Sequence, residues 1–267
     1  MEMKRTTTEI LETVRTRAPL VHNITNLVVM NASANILLAL GASPVMAHSR
    51  QEAAEMAAMA GALVLNIGTL SEKWVEAMVL AAKAANQRGI PVILDPVGAG
   101  ATVYRTGSVR HILDQTRIAV IRGNASEVLS LADSDIKTRG VESSLLLSDD
   151  MIDAAGAIAR QHDTIVAISG AQDLITDGDR ALRVANGVPL MTRVTGLGCG
   201  LSAVVGAFCA VARDDLLVAA AAAFGVYGLC GELALDVSDR PGSFFVAFVD
   251  ALYSVGSQQI ERHLKVV

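Results

Sequence analysis

Four short apolar runs constrain this chain more than any other feature. They are Ala62-Leu63-Val64-Leu65-Asn66-Ile67-Gly68, Pro91-Val92-Ile93-Leu94-Asp95-Pro96, Ile118-Ala119-Val120-Ile121-Arg122-Gly123-Asn124 and Thr164-Ile165-Val166-Ala167-Ile168-Ser169-Gly170. A strand that is apolar at nearly every position needs cover on both faces, which is the condition of a parallel sheet. Helical patterns separate the runs. One covers Ser71 to Arg88, with Ser71 placed as N-cap and Gly89 just past the end. Another covers Asp149 to His162. The alternation predicts an α/β fold with a doubly wound, mostly parallel sheet.

The texture changes at Asp173 to Arg193, where Leu174-Ile175-Thr176-Asp177-Gly178-Asp179 carries a tight-turn signal. A hairpin at the sheet edge is expected there, with alternation continuing to Val188. The last third, from Cys199 to about Leu264, reads as mostly helical. No Pro/Gly/Ser-rich linker, charge run, repeat or low-complexity tract divides the 267 residues, so residues 1–267 are expected to form a single domain.

Composition narrows the function. Hydrophobic residues make up 52% and charged residues 18%, enough apolar material for a large core. A net charge of −5, with basic residues scattered and no basic stripe interleaved with aromatics, speaks against a nucleic-acid surface. The N-terminal Met1-Glu2-Met3-Lys4-Arg5 and three threonines lack the apolar stretch of a signal peptide. The most hydrophobic window, Leu216 to Gly231, falls short of the roughly 20 residues of a bilayer span and is expected to be a buried helix, with no membrane partner. Cys199, Cys209 and Cys230 form no even framework and no CxxC pair, in keeping with a cytoplasmic protein. Cys209 and Cys230 sit in apolar helical patterns and read as core thiols.

Function is expected beyond the carboxyl ends of the parallel strands, where open sheets bind ligands. That rule selects Asn66 and Gly68, Asp95, Arg122 with Asn124 and Glu127, and Ser169 with Gly170. Asp95 and Glu127 suit magnesium, which takes one or two carboxylates and completes its shell with water and phosphate oxygens. Glu127 equally suits the first turn of a helix capped by Asn124. Arg122 offers a fork for phosphate, or a surface ion pair; Ser169 offers a hydroxyl to phosphate, or a turn cap.

Val194-Thr195-Gly196-Leu197-Gly198-Cys199-Gly200 precedes the apolar run Leu201 to Ala212. Glycines at a helix start let backbone N–H groups close on an anion, giving an expected hole from Gly196, Leu197, Gly198 and Cys199. Cys199 is either a thiol lowered by the helix N-terminus and able to take a proton, or a small residue chosen for packing. Near the chain start, Val21-His22-Asn23-Ile24-Thr25-Asn26 runs into another helical pattern. Asn26 is the expected N-cap of the helix to Leu40, and Met46 ends a short strand after Pro44-Val45. Methionine beside amides suits a small heteroaromatic ligand, though single methionines are more often core.

In chain order, the VHNITN cluster, Asp95-Pro96-Val97-Gly98-Ala99-Gly100, Arg122-Gly123-Asn124-Ala125-Ser126-Glu127 and the Val194-to-Cys199 turn together resemble the hydroxyethylthiazole kinase family. The resemblance runs from about residue 20 to 245. It implies a ribokinase-like three-layer fold and phosphorylation of 4-methyl-5-(2-hydroxyethyl)thiazole by ATP with magnesium, in thiamine salvage. It also implies a homotrimer with active sites between subunits. Position by position, it implies thiazole contacts at Met46, Gly196 and Asn26, and ATP contacts at Arg122 and Ser169. Asp95 and Glu127 then belong to the magnesium-phosphate environment, and Cys199 stands where relatives outside the family carry a catalytic aspartate. Leu197 departs from the threonine usual in that turn, and Ser169 from a frequent threonine. Competing readings are a pyrimidine-alcohol kinase, an ATP-dependent repair dehydratase, a thiazole or nucleotide sensor without catalysis, and a structural oligomer.

Overall fold

The computed structural model describes residues 2–132 and 148–267, whose eight strands form one sheet. In chain order these are β1 (Leu20–Ile24), β2 (Ser43–Val45), β3 (Ala62–Asn66), β4 (Val92–Asp95), β5 (Val120–Asn124), β6 (Ile165–Ser169), β7 (Asp173–Thr176) and β8 (Ala181–Val184). Across the sheet they lie β2-β1-β3-β4-β5-β6-β7-β8. The first six are parallel; β7 and β8 are antiparallel. The four apolar runs are thus β3 to β6, side by side, and the hairpin forms the edge. It stops sooner than the alternation predicts: β8 ends at Val184, and Pro189–Arg193 form a short 3-10 turn. Gly187, at φ +126°, leaves the extended conformation before Val188 is reached.

Helices cover both faces. One layer holds α3 (Ala53–Met59), α4 (Glu72–Gln87), α5 (Val103–Gln115), α6 (Ala125–Leu129) and α7 (Asp149–His162). The other holds α1 (Glu2–Arg17), α2 (Met30–Leu40), α8 (Leu197–Val211), α9 (Leu216–Val237), α10 (Pro241–Ser254) and α11 (Ser257–His263). Side chains alternate between faces along a strand. Val64, Ile93, Val120 and Ala167 accordingly join the core under α8 and α9, while Leu65, Leu94, Ile121 and Ile168 join the other. Two residues further along each strand stand Asn66, Asp95, Arg122 and Ser169. They keep the phase of the first set and turn toward the layer that contains α8.

Local signals act as expected at several ends. The Ser71 hydroxyl accepts from Trp74 N–H at the start of α4, and Gly89 takes φ +65° beyond its end. α7 spans Asp149–His162, as its pattern predicts. α9 is longer than the apolar window, at 22 residues, and is long enough to cross a bilayer. It is instead the core helix, with 78% of its most apolar stretch buried. Cys209 and Cys230 are free and buried.

Asn26 is a correction. α2 begins at Met30 after Val29, and no side chain caps it. Asn26 Oδ1 instead accepts from Val28 N–H at 3.1 Å, a turn that precedes the helix by one step. Its amide group is thereby free to serve the sheet.

Candidate active site

β1 lies between β2 and β3, so the chain leaves neighbouring strands in opposite directions at the β1/β3 boundary. Such a switch point opens a crevice at the carboxyl ends. Asn26 and Asn66 span it: Asn26 Nδ2 donates to Asn66 Oδ1 at 2.9 Å and reaches Cys199 Sγ at 3.5 Å. Asn66 and Asp95 are register partners in β3 and β4, which places their side chains together. Asn66 Nδ2 donates to Asp95 Oδ2 at 2.7 Å, and Ser202 Oγ, one turn beyond Cys199 on α8, donates to the same oxygen at 2.8 Å. Asn26, Asn66, Asp95 and Ser202 are all at most 4% exposed. They form a closed polar chain under an apolar helix.

Burial raises the Asp95 carboxyl to about 6. Arg122, Ser202 and Asn66 pull it back, and Glu127 pushes it further up. Cys199 departs from expectation. Burial pushes its thiol up to about 11, with the Asp95 charge adding to the shift, against opposing contributions from Asn66, Arg122 and Asn26. Burial disfavours the thiolate and the nearby carboxylate adds to that, against the lowering expected of a helix N-terminus. The resting group is a protonated thiol.

α8 starts inside the expected turn, at Leu197, with Gly196 as its N-cap at φ +92° and no side-chain cap. An L side chain is strained at that φ, and a Cβ there would sit 3.2 Å from Val29 Cγ1. The first intrahelical bond runs from Gly200 N–H to Gly196 O at 2.7 Å. The N–H groups of Leu197, Gly198 and Cys199 therefore precede the helix ladder, as an anion hole requires. Leu197 is 2% exposed and belongs to the core. The departure from threonine serves packing and leaves the backbone donor in place.

Arg122 is 6% exposed and is not a surface ion pair. Its Nη1 donates to Gly198 O and its Nη2 to Ser169 Oγ, both at 2.9 Å, and its guanidinium lies 6.0 Å from the Phe224 ring centroid. It therefore ties β5 and β6 to the start of α8. Its Nε is buried without a partner. Asp173 was not singled out by the sequence, yet it stands at the same end. It is 9% exposed, and its Oδ1 accepts from Gly170 N–H at 2.9 Å. Burial raises its carboxyl to about 7, against the pull of that N–H and of Arg122. A carboxyl with a folded pKa above its unfolded value contributes stability below the unfolded pKa and loses it as pH rises through the folded one. Asp173→Asn keeps an acceptor for Gly170 and removes the charge. Its melting temperature should exceed the parent's by roughly 5 °C near pH ~8, and the gap should narrow toward pH ~5. Calorimetry showing a gap constant across that range would refute the assignment.

Glu127 fulfils its helix role. Asn124 Oδ1 accepts from Glu127 N–H, and Glu127 Oε2 accepts from Asn124 N–H, each at 2.9 Å, a complete capping box. Glu127 Oε1 accepts from Gly98 N–H at 2.9 Å, so the carboxylate also holds the loop after β4. Arg105, which the sequence did not mark, donates to the carbonyls of Ile67, Gly68 and Val97 and fastens that loop to the end of β3. Among the described residues no cluster of three or more His, Cys, Asp and Glu could hold a metal by itself.

Met46 is half-buried directly after β2, at the carboxyl end of that edge strand. His22, within β1, positions it. The His22 ring is fully buried, burial lowers its pKa, and its Nε2–H donates to Ala47 O at 2.7 Å. A neutral imidazole thus holds the main chain beside Met46.

A helix start with open N–H groups, at the switch point of a parallel sheet, is a setting suited to an anion such as phosphate. A solved ribokinase-like superfamily protein from Enterococcus faecalis shares the fold at a TM-score of 0.65, with 12% identity over 94% of this chain and 95% of that one. The protein has the ribokinase-like fold. The family model described as "Hydroxyethylthiazole kinase family" matches residues 11–258. A hydroxyethylthiazole kinase from Desulfotalea psychrophila is 52% identical over 261 residues, covering 98% of this chain and 95% of that protein. The solved structure of a hydroxyethylthiazole kinase protein from Pyrococcus horikoshii OT3 superposes at a TM-score of 0.90, with 43% identity and 98% of both chains covered. The chain belongs to the hydroxyethylthiazole kinase family.

Proposed function

We propose that the protein transfers the γ-phosphoryl group of ATP to the hydroxyl of 4-methyl-5-(2-hydroxyethyl)thiazole, in thiamine salvage, and that residues 1–267 act as one kinase domain. One observation carries the reading: the N–H groups of Leu197, Gly198 and Cys199 precede the helix ladder, with Arg122 bonded to Gly198 O and Ser169 Oγ and with Asn26 reaching Cys199 Sγ. ATP is assigned to the side of β5 and β6, against Arg122 and Ser169. The thiazole is assigned to the side of β1 and β2, against Met46, Asn26 and Gly196. The transferred phosphoryl lies between them, over the start of α8. The substrate hydroxyl oxygen bonds to the γ-phosphorus as its proton passes to a phosphoryl oxygen, the bond to the bridging oxygen breaks, and ADP departs with its electron pair. Positioning and charge stabilisation supply most of the acceleration of such a transfer.

Asp95 and Glu127 fit a shared magnesium ion. Glu127 pushes the Asp95 carboxyl up, a repulsion that a cation would relieve; Asp95 ends β4 and Glu127 stands in the first turn of α6, where phosphate is assigned. When bound, the ion would neutralise charge on the transferring group. Cys199 retains its proton at rest and is assigned a polar contact with the reacting oxygens. Cys199→Ala should fold, bind ATP and turn over up to about tenfold more slowly. Unchanged turnover would remove the thiol from the site.

A homotrimer with sites between subunits is supported by Leu27 and Val28, which are 65% and 67% exposed immediately after Asn26. The mass in solution by light scattering tests it. Free thiols and a chain without a basic stripe support a cytoplasmic enzyme acting on small molecules. The decisive assay is ADP release with ATP and magnesium, with and without the thiazole. Thiazole-dependent ADP and phosphorylated thiazole are expected. Binding of both ligands without ADP would favour the sensor reading, and no response to the thiazole would direct the search to other alcohols.

A further inference from the structure

The start of α8 is gripped from behind. Tyr227, on α9, is 1% exposed, and its hydroxyl donates to Leu197 O at 2.7 Å. One residue on, Arg122 Nη1 donates to Gly198 O at 2.9 Å. The described backbone contains no cis peptide, and in a trans peptide the carbonyl and the following N–H point in opposite directions within one rigid plane. The plane that carries Leu197 O also carries Gly198 N–H. The plane that carries Gly198 O also carries Cys199 N–H. Each donor behind therefore fixes the aim of one N–H in front. A donor on the carbonyl also polarises the amide, which strengthens the bond its N–H can give.

The surroundings are shaped around this contact. Gly200 has no room for a side chain, because a Cβ would lie 2.8 Å from Tyr227 Oη and 2.5 Å from Ile36 Cδ1. The tyrosine ring is locked edge-on against Phe248, with centroids 4.8 Å apart and planes at 71°. Burial pushes the phenol well above its ordinary range, so it remains a donor at any pH the protein experiences. Arg122, 6% exposed, leaves its Nε–H without a partner at the same place. Its charge stands beside the Gly198 carbonyl that it holds.

We infer that Tyr227 is a positioning residue for phosphoryl transfer: its hydroxyl aims and polarises the Gly198 amide, while Arg122 does the same for that of Cys199. The inference rests on the kinase reading for its link to turnover, and on the peptide geometry alone for its link to anion binding.

Tyr227→Phe removes the hydroxyl and keeps the ring on Phe248. Two measurements on the full chain separate the claims. In steady-state ADP release, kcat should fall about tenfold with the thiazole KM unchanged, as expected for a hydrogen bond that matters most in the transition state. By calorimetric titration with inorganic phosphate, the variant should bind about fivefold more weakly than the parent. Unchanged kcat together with unchanged phosphate affinity overturns the inference. So does a variant that melts below the assay temperature, or one that loses kcat and thiazole binding in step, since either describes a purely structural tyrosine. If the parent protein itself makes no ADP with the thiazole, the kinase reading fails, and the phosphate titration still decides the role of Tyr227.

Discussion

Replacing Asp95 with asparagine is expected to lower turnover by about two to three orders of magnitude while leaving the protein folded. The reason lies in how the carboxylate is held. Two hydrogen bonds, from Asn66 Nδ2 and Ser202 Oγ, land on Oδ2. An asparagine can place its carbonyl oxygen there and keep both, so the polar chain survives. What disappears is a negative charge buried at the strand ends, next to Glu127 and beneath the assigned phosphates. Asp95→Ala is a different experiment, because it strands two buried donors and confounds catalysis with stability. Steady-state ADP release measures the effect, and the magnesium dependence of the residual rate reports whether the lost charge served the ion. A turnover within tenfold of the parent would show that Asp95 only supports the sheet end.

Much of this site was legible because strand geometry is periodic. Asn66, Asp95, Arg122 and Ser169 each stand two residues beyond an apolar residue of one core, so a period of two puts all four on the face under α8. The glycines around Cys199 likewise marked a helix start, and the helix begins among them. What escaped was set by partners distant in sequence. Ser202 and Tyr227 lie inside apolar helical patterns and read as filler. Their roles come from Asp95, 107 positions away, and Leu197, 30 positions away. Ser202 did leave a trace: it follows Cys199 by three residues, on the same helical face. The state of the Cys199 thiol follows the same rule. A helix terminus is visible in the sequence, but burial beside Asp95, which pushes the thiol up, is a tertiary fact. Asn26 shows the same limit. Its position resembles a cap, yet β3 provides it with Asn66, and a buried side-chain bond at 2.9 Å holds it there.

Arg122→Lys should be nearly as damaging as the loss of Asp95, lowering kcat/KM for ATP about a hundredfold although the charge is retained. The guanidinium spans two directions at once, to Gly198 O and to Ser169 Oγ, each at 2.9 Å. A planar fork achieves this with one pre-organised group, whereas an ammonium is a single point at the end of a flexible stem. Lysine can satisfy one partner and must abandon the other. If it keeps Ser169, the Gly198 carbonyl is released and the Cys199 amide loses its aim. If it keeps Gly198, the β5 and β6 side of the crevice loses its link to the hydroxyl assigned to ATP. In both cases a buried cation loses a partner, so stability should fall by roughly 1–3 kcal/mol as well. Denaturant unfolding of the variant measures that loss, and ADP release at saturating and limiting ATP separates weaker binding from slower transfer. Activity close to the parent's would mean that charge alone is needed at this position and that the two-sided strut has no role in catalysis.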